Sequence, residues 1–302
     1  MSSSAGTVVV TGGTSGLGRE CARSLAADPG LQVVITGRDQ ARTQSAAASI
    51  GARPMVLDLA SLASVRTFTQ ELVGAGFPPL RAVVCNAGLQ FTHRAFTEDR
   101  VEATFGINHL GHLALVESLV HFLEGPARIV FVSSGTHDPA KRTGMPHPLA
   151  ASAYQLAYPP TEPAGDSAVK DGRRRYTTSK LANVRTAYAL ARHLESRGIT
   201  VNAFDPGLMP GTGLARDAGP MSRAVFATVA RGLVVLPGVN TTRRSGANLA
   251  RLVTDPDLET TTGTYFSGTR ATRSSAASYD LEAQEALYRD SLDILATLGG
   301  LP

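Results

Sequence analysis

Apolar residues in this chain gather in short, nearly unbroken runs: TVVVT (7–11), LQVVITG (31–37), RPMVLDL (53–59), LRAVVCN (80–86), ARIVFVSS (127–134) and GITVNAFDP (198–206). A strand with one wet face alternates polar with apolar positions, so unbroken runs predict strands covered on both faces. Between them, apolar positions recur with helical period near 16–27, 40–50, 61–74, 99–123 and 176–197. Strand and helix in turn predict an α/β fold: one parallel, doubly wound sheet with right-handed crossovers and flanking helices.

Two stretches break the rhythm. Residues 137–172 carry Pro139, Pro146, Pro148, Pro159, Pro160 and Pro163 and read as a long excursion from the fold. Residues 208–237 begin irregularly and pass into the apolar MSRAVFATVARGLVVL at 221–236. Either can cover a site. With no repeat and no low-complexity tract, residues 1–302 are expected to form a single domain.

Composition narrows the class. A chain of 302 residues, 43% of them hydrophobic, can bury a large core. Cys21 and Cys85 lie in apolar runs and are too few for a disulfide framework or a metal site, which fits a reducing cytoplasm. The net charge of +4 is small and the arginines are scattered, so no nucleic-acid partner is expected, and Arg173–Arg175 and Arg243–Arg244 read as solvated faces. MSSSAGTVVV has no basic leader, and no run of about 18 apolar residues follows, so a soluble protein with no membrane span is expected. Only three lysines stand among 29 basic residues, which gives each some weight.

In open sheets of this kind, ligands sit beyond the carboxyl ends of the strands. TGGTSGLGRE (11–20) leaves the first strand and opens a helix. Gly12, Gly16 and Gly18, with Thr14, Ser15 and Leu17 between them, form the tight turn whose backbone N–H groups and helix N-terminus receive a pyrophosphate, as in Rossmann-type dinucleotide sites. NAD-binding chains commonly carry a carboxylate at the end of the second strand, about 20 residues past the glycines. Here Gly37 and Arg38 stand there, and a guanidinium suits the 2′-phosphate of NADP. Ser15 could add a hydroxyl, with Arg19 and Arg42 as lesser candidates. After the third strand, Asp58 and Leu59 are candidates for the adenine, with helix capping the competing role of Asp58.

Tyr176 and Lys180 sit one helical turn apart in YTTSK, a spacing that alone is more often surface packing than chemistry. Their company is more telling. The glycine turn, CNAG (85–88), NHLGHLAL (108–115), VSS (132–134), YTTSK (176–180) and DPG (205–207) occur in the order that resembles the short-chain dehydrogenase/reductase family, over about residues 7–254. DLASLASVR, CNAG, NHLGH and GTYFSGTRATRSSAASYD are similar to its retinol-dehydrogenase and light-dependent protochlorophyllide-reductase branch. The resemblance implies Tyr176 as acid/base, Lys180 as its partner and ribose anchor, Ser134 rather than Ser133 as the carbonyl-orienting hydroxyl, and Asn108 as holder of a water leading toward Lys180. It further implies that Asn86, Ala87, Gly88, Pro206 and Gly207 line the cofactor. The threonine usual five places beyond the proline is Gly211 here, with Thr212 next.

Other departures are plain. Forty-one residues separate Ser134 from Tyr176, so the excursion must fold outward, and its His137 and His147 are candidates for a pocket wall. The protochlorophyllide-reductase branch carries a cysteine two places after its lysine, where this chain has Ala182. The expectation is an NADPH-dependent reductase of a ketone or aldehyde, or an oxidant of the alcohol, acting on a lipophilic small molecule of polyketide-, terpenoid- or retinoid-like kind. The alternative is a non-catalytic NADP-binding regulatory protein. The family's habit of pairing through two central helices makes a homo-oligomer a further expectation.

Overall fold

The computed structural model describes residues 6–160, 167–209 and 240–301. Eight strands form one sheet: β1 (Gly6–Val10), β2 (Leu31–Gly37), β3 (Arg53–Val56), β4 (Leu80–Cys85), β5 (Leu123–Val132), β6 (Ile199–Asp205), β7 (Tyr265–Ser267) and β8 (Arg270–Thr272). Their order is β3-β2-β1-β4-β5-β6-β7-β8, with every pair parallel except β7 and β8. The order turns about β1 and β4, which places a ligand crevice beyond their carboxyl ends.

The unbroken apolar runs are explained by the two faces. Val9, Val34, Val83, Ile129, Phe131 and Val201 point into one core, and Val8, Val10, Val33, Ile35, Val84, Val130 and Phe204 into the other. Successive strand residues face opposite sides, so a sheet buried on both needs apolar residues at nearly every position. The first core is closed by α3 (Leu62–Gly74), α4 (residues 103–119), α6 (Ala168–His193) and α8 (Leu281–Thr297). The second is closed by α1 (Gly16–Leu25), α2 (Gln40–Ala48) and α7 (Thr242–Thr254). The helix α4 runs from Ala103–Phe105 through a π-helical turn, Gly106–Leu110, into Gly111–Leu119.

Some predicted boundaries shift. Only the first four residues of 53–59 are strand, and they lie exposed at the sheet edge, where Pro54 can be accommodated without a second ladder. The excursion ends earlier than expected: Ser167 caps α6 by accepting from Lys170 N at 3.4 Å, so 168–172 belong to the helix that carries Tyr176. A short helix, α5 (Ala153–Ala157), forms inside the excursion behind a capping box of Ser152 and Gln155. The helix α7 and the C-terminal β7, β8 and α8 were not among the predicted elements. Three-residue strands are too short to show a period. Most of the expected covering segment, 210–237, lies outside the described residues, and so does Thr212. Among the described residues, no helix is long and apolar enough to cross a membrane.

Candidate active site

The glycine turn occupies the space between β1 and α1. Gly12 and Gly16 take φ of +64° and +58°, a region costly for any side chain. A Cβ at Gly18 would lie 2.4 Å from Asn86 Nδ2 and 2.6 Å from Gly12 O, so only glycine lets α1 pack this closely on the strand exits. Ser15 precedes α1 but makes no capping bond, and the first turn holds no acidic residue. The first-turn N–H groups therefore have no anionic side chain competing for them. A Cβ at Gly16 would meet nothing within 4 Å, so the approach to that helix end is open. These features fit a dinucleotide pyrophosphate.

Around the turn, Asn86 N and Ala87 N donate to Thr11 Oγ1 at 2.8 and 2.9 Å, and Asn86 Nδ2 donates to Thr11 O at 2.7 Å. Asn86 thus shapes the crevice through its bonds to the turn. Arg38 is exposed at the end of β2, while the next carboxylate, Asp39, is occupied in capping α2 through Arg42 N at 2.8 Å. Arg19 is drawn away toward Ser49 Oγ at 2.8 Å. Asp58 does not cap α3. It accepts from Ala60 N at 2.9 Å in a local turn, and Ser61 is the cap. Leu59 is buried beside it, and Pro206 and Gly207 follow β6 on the same rim.

Four predicted catalytic residues converge beyond β4 and β5. Ser133 Oγ donates to Lys180 O at 2.8 Å, which binds the strand to α6 and leaves Ser134 to face the crevice. Lys180 Nζ donates to Val132 O at 3.1 Å and stands 5.6 Å from the Tyr176 ring centre. A Cβ at Gly88 would come within 3.3 Å of both Lys180 Nζ and Asn108 Oδ1, so the CNAG glycine lets the β4 exit reach them. Burial pushes the Tyr176 phenol well up, the neighbouring Ser134 hydroxyl pulls it back, and the Asp205 carboxylate adds to the upward push. Burial also brings Lys180 down to about 8. An ammonium so desolvated gains most from any partner that restores its hydrogen bonds.

Asn108 is placed with this group, but its amide is committed to the protein. Its Nδ2 donates to Leu89 O at 2.9 Å and to Ser179 Oγ at 3.0 Å, and its Oδ1 accepts from Leu89 N at 2.9 Å. With both donors spent, the expected water-holding role is left with one lone pair on Oδ1 beside Lys180. The position lies in the π-helical turn of α4, a distortion often found where function requires it.

Two buried histidines complete the frame. His112 Nδ1 lies 3.1 Å from Asn108 O and its Nε2 2.8 Å from Thr11 Oγ1. A carbonyl can only accept, so Nδ1 carries the proton and Thr11 donates to Nε2. Burial, which lowers His112 to about 4, keeps the ring neutral. His137 repeats the pattern, 2.6 Å from Ser134 O and accepting from Ser275 N at 3.2 Å. It is a buried strut behind Ser134, whereas His147 is exposed on a cleft wall. Arg175 also departs from expectation. It is buried 3.1 Å from Glu102 and paired with Asp171, so it belongs to no solvated face.

Two adjoining clefts lie along the excursion. One, of about 320 Å³, is lined by Thr136, Asp138 and Arg142. The other, of about 820 Å³, runs past Met145, Pro146, Leu149, Val169 and Arg173, and the two share Gly144–His147 as a common wall. His147 lines both clefts, and His137 lines neither. Sequence reasoning did not single out Thr11, His112, Ser179, Lys141 or Asp205. The second histidine of NHLGH and the aspartate of DPG were visible as motif letters, but their contacts lie far away in sequence.

Comparison with known proteins shows what the chain as a whole is similar to. A family model described as short chain dehydrogenase matches residues 6–145. The chain is 35% identical to a protochlorophyllide reductase of Avena sativa, over 86% of this chain and 88% of that protein. It is 31% identical to the chloroplastic protochlorophyllide reductase of Chlamydomonas reinhardtii, over 98% of this chain and 78% of that protein. A crystal structure of a short chain dehydrogenase from Burkholderia cenocepacia in complex with NADP aligns with a TM-score of 0.64 at 26% identity, covering 88% of this chain and 96% of that one.

Proposed function

This chain belongs to the short-chain dehydrogenase/reductase family, and from that premise we propose an NADP-dependent oxidoreductase that reduces a ketone or aldehyde of a lipophilic small molecule, or runs the reverse oxidation. The reading is carried by one observation: the β5 exit that bears Ser134 is tied to Lys180 through Ser133, Lys180 Nζ stands 5.6 Å from the Tyr176 ring one helical turn away, and the glycine turn lies on the same rim. NADP bound along that rim supplies a hydride donor or acceptor at its nicotinamide. The cradle is Gly12, Thr14, Ser15, Gly16, Leu17 and Gly18, with Arg38 toward the 2′-phosphate and Asp58 and Leu59 toward the adenine. Asn86, Ala87, Gly88, Pro206 and Gly207 border the nicotinamide end.

Ser134 donates a hydrogen bond to the substrate oxygen and stabilises the charge that develops there. Tyr176 delivers the phenolic proton to that oxygen in reduction and removes it in oxidation. Lys180, cationic below about 8, favours phenolate and is placed to hold the nicotinamide ribose. Asn108 keeps the Gly88–Leu89 loop and Ser179 in register around Lys180. The larger cleft sets the apolar Met145, Leu149 and Val169 beside the basic Lys170, Arg173 and Arg174, and the lipophilic body of a substrate that extends into it would rest on the former.

The names of the relatives support a second reading, protochlorophyllide as substrate. Against it, the cysteine that this branch places two residues after the lysine is Ala182, buried in the core. The test is NADPH oxidation with a panel of ketones and aldehydes plus protochlorophyllide, comparing the unaltered protein with Tyr176→Phe. Turnover of a carbonyl that the substitution abolishes, with NADPH affinity kept, supports the first reading. Turnover of protochlorophyllide alone replaces it with the second, and tight NADPH binding with no turnover at all favours a regulatory binder.

A further inference from the structure

Of the three lysines, Lys180 is explained by the reading above, and Lys170 lies in the first turn of α6. Lys141 stands in the excursion, yet its ammonium reaches back to the exit of β6, 3.3 Å from Asp205 Oδ2, and lies 5.2 Å from the Tyr265 ring centre. Asp205 is buried, with only 6% of its side chain exposed, and its other oxygen accepts from Gly207 N at 3.0 Å. A bare carboxylate at such a depth is costly, and the partially exposed Lys141 supplies a cation against it.

The pair lies beside the reacting position. A Cβ on Gly135, the residue after Ser134, would be 3.0 Å from Asp205 Oδ2 and 3.3 Å from Lys141 Nζ. The Ser134 hydroxyl in turn lowers the proton affinity of the Tyr176 phenol. The charged and titratable groups facing Tyr176 are thus Lys180 on its own helix and Asp205 from β6. Asp205 faces Lys141, His137 and the buried Tyr265 hydroxyl. His137 is neutral in its strut, so Lys141 is the countercharge among these groups.

We propose that Lys141 and Asp205 are positioning residues for the proposed reaction: the lysine, carried by the excursion, cancels the aspartate charge felt by Tyr176, so seating the excursion over the site sets the proton affinity of the acid/base. The proposal rests on the oxidoreductase reading of the same site. A carboxylate that stands uncancelled disfavours phenolate, and the push of Asp205 on Tyr176 is already upward. Removing Lys141 leaves that push whole, and removing the Asp205 charge lifts it and leaves a lone cation close by. Removing both returns the site to near neutrality, so the two changes should cancel.

The experiment is the pH dependence of kcat for NADPH oxidation with para-nitrobenzaldehyde, a small carbonyl that needs little of the cleft. Lys141→Met should move the profile up by about one pH unit, Asp205→Asn should move it down, and the double variant should return close to the starting protein. Asparagine can still accept from Gly207 N, and NADPH titration by fluorescence checks that each variant is folded. If Asp205→Asn does not fold, Lys141→Met decides alone. Reduced kcat with an unmoved profile, or shifts that fail to cancel, overturns the proposal and assigns the pair a purely structural role. No turnover of the aldehyde by the starting protein, or full activity in Tyr176→Phe, overturns the oxidoreductase reading itself. A dead Tyr176→Phe with an unmoved Lys141→Met profile sinks only the present inference.

Discussion

The floor of the site and the excursion over it are fastened differently. On the floor, Asn108 makes three side-chain hydrogen bonds, Lys180 and Asn183 both donate to Val132 O at 3.1 Å, and Ser133 ties β5 to α6. The excursion from 137 to 160 is held at separate points: His137 beneath Ser134, Lys141 on Asp205, Leu149 N on Thr178 Oγ1 at 2.9 Å and Tyr154 on Asp293. A buried, closely bonded network fixes one geometry, whereas separate ties let the loop residues between them vary. On the proposed reading, the difference gives reaction type to the floor and, Lys141 apart, substrate choice to the excursion.

The largest effect should come from the floor. Tyr176→Phe is expected to cut kcat roughly a thousandfold while NADPH affinity changes by less than about twofold, read by stopped-flow kinetics and fluorescence titration. Next, Arg175→Met leaves Glu102 buried without its partner on the support beneath Tyr176. Denaturant unfolding should then show a loss of about 3 to 4 kcal/mol, far more than an exposed pair would contribute.

Lys180→Met probes the cost of the floor itself. The folded lysine titrates near 8 against 10.5 for the ordinary group, so between those values the unfolded chain binds more protons and stability should rise with pH. Below about 8 the full cost is present. The cofactor-free variant should lack this rise and melt higher at neutral pH, a difference on the order of 3 kcal/mol in the free protein, even though its turnover is lost. Thermal melts across that range check it.

Smaller effects belong to the periphery. Arg38→Asp should shift the preference from NADP toward NAD by about 10- to 100-fold in kcat/KM, through loss of a charge-assisted contact and gain of a ribose acceptor. Leu149→Ala should change KM for bulky carbonyls by about threefold and leave kcat for a small aldehyde alone. If it changes kcat for small aldehydes as strongly as Tyr176→Phe does, the division between floor and excursion fails.

The sequence was informative where short-range pattern and chemistry coincide. Strands β1, β2, β4, β5 and β6 were legible because burial on both faces removes polar residues from them, and the glycine turn because its backbone admits little else. Tyr176, Lys180 and Ser134 could be named from motif order, and the structure brings them together. What stayed hidden depends on long-range contact. Arg175 looks like one member of a solvated arginine run until Glu102, from another helix, is placed against it. His112 and Asp205 have partners in Thr11 and Lys141, separated from them by 101 and 64 residues. The strands β7 and β8 are legible only through their pairing with β6 and with each other.

The most direct measurement is the fate of the hydride. With NADPH carrying deuterium at nicotinamide C4 on the transferred face, mass spectrometry of the alcohol made from an aldehyde should find one deuterium on the carbinol carbon. Tyr176→Phe should yield almost no labelled product at matched enzyme and time. Product without deuterium at that carbon, or equal labelling by Tyr176→Phe at an undiminished rate, would contradict the assignment of this floor to carbonyl reduction.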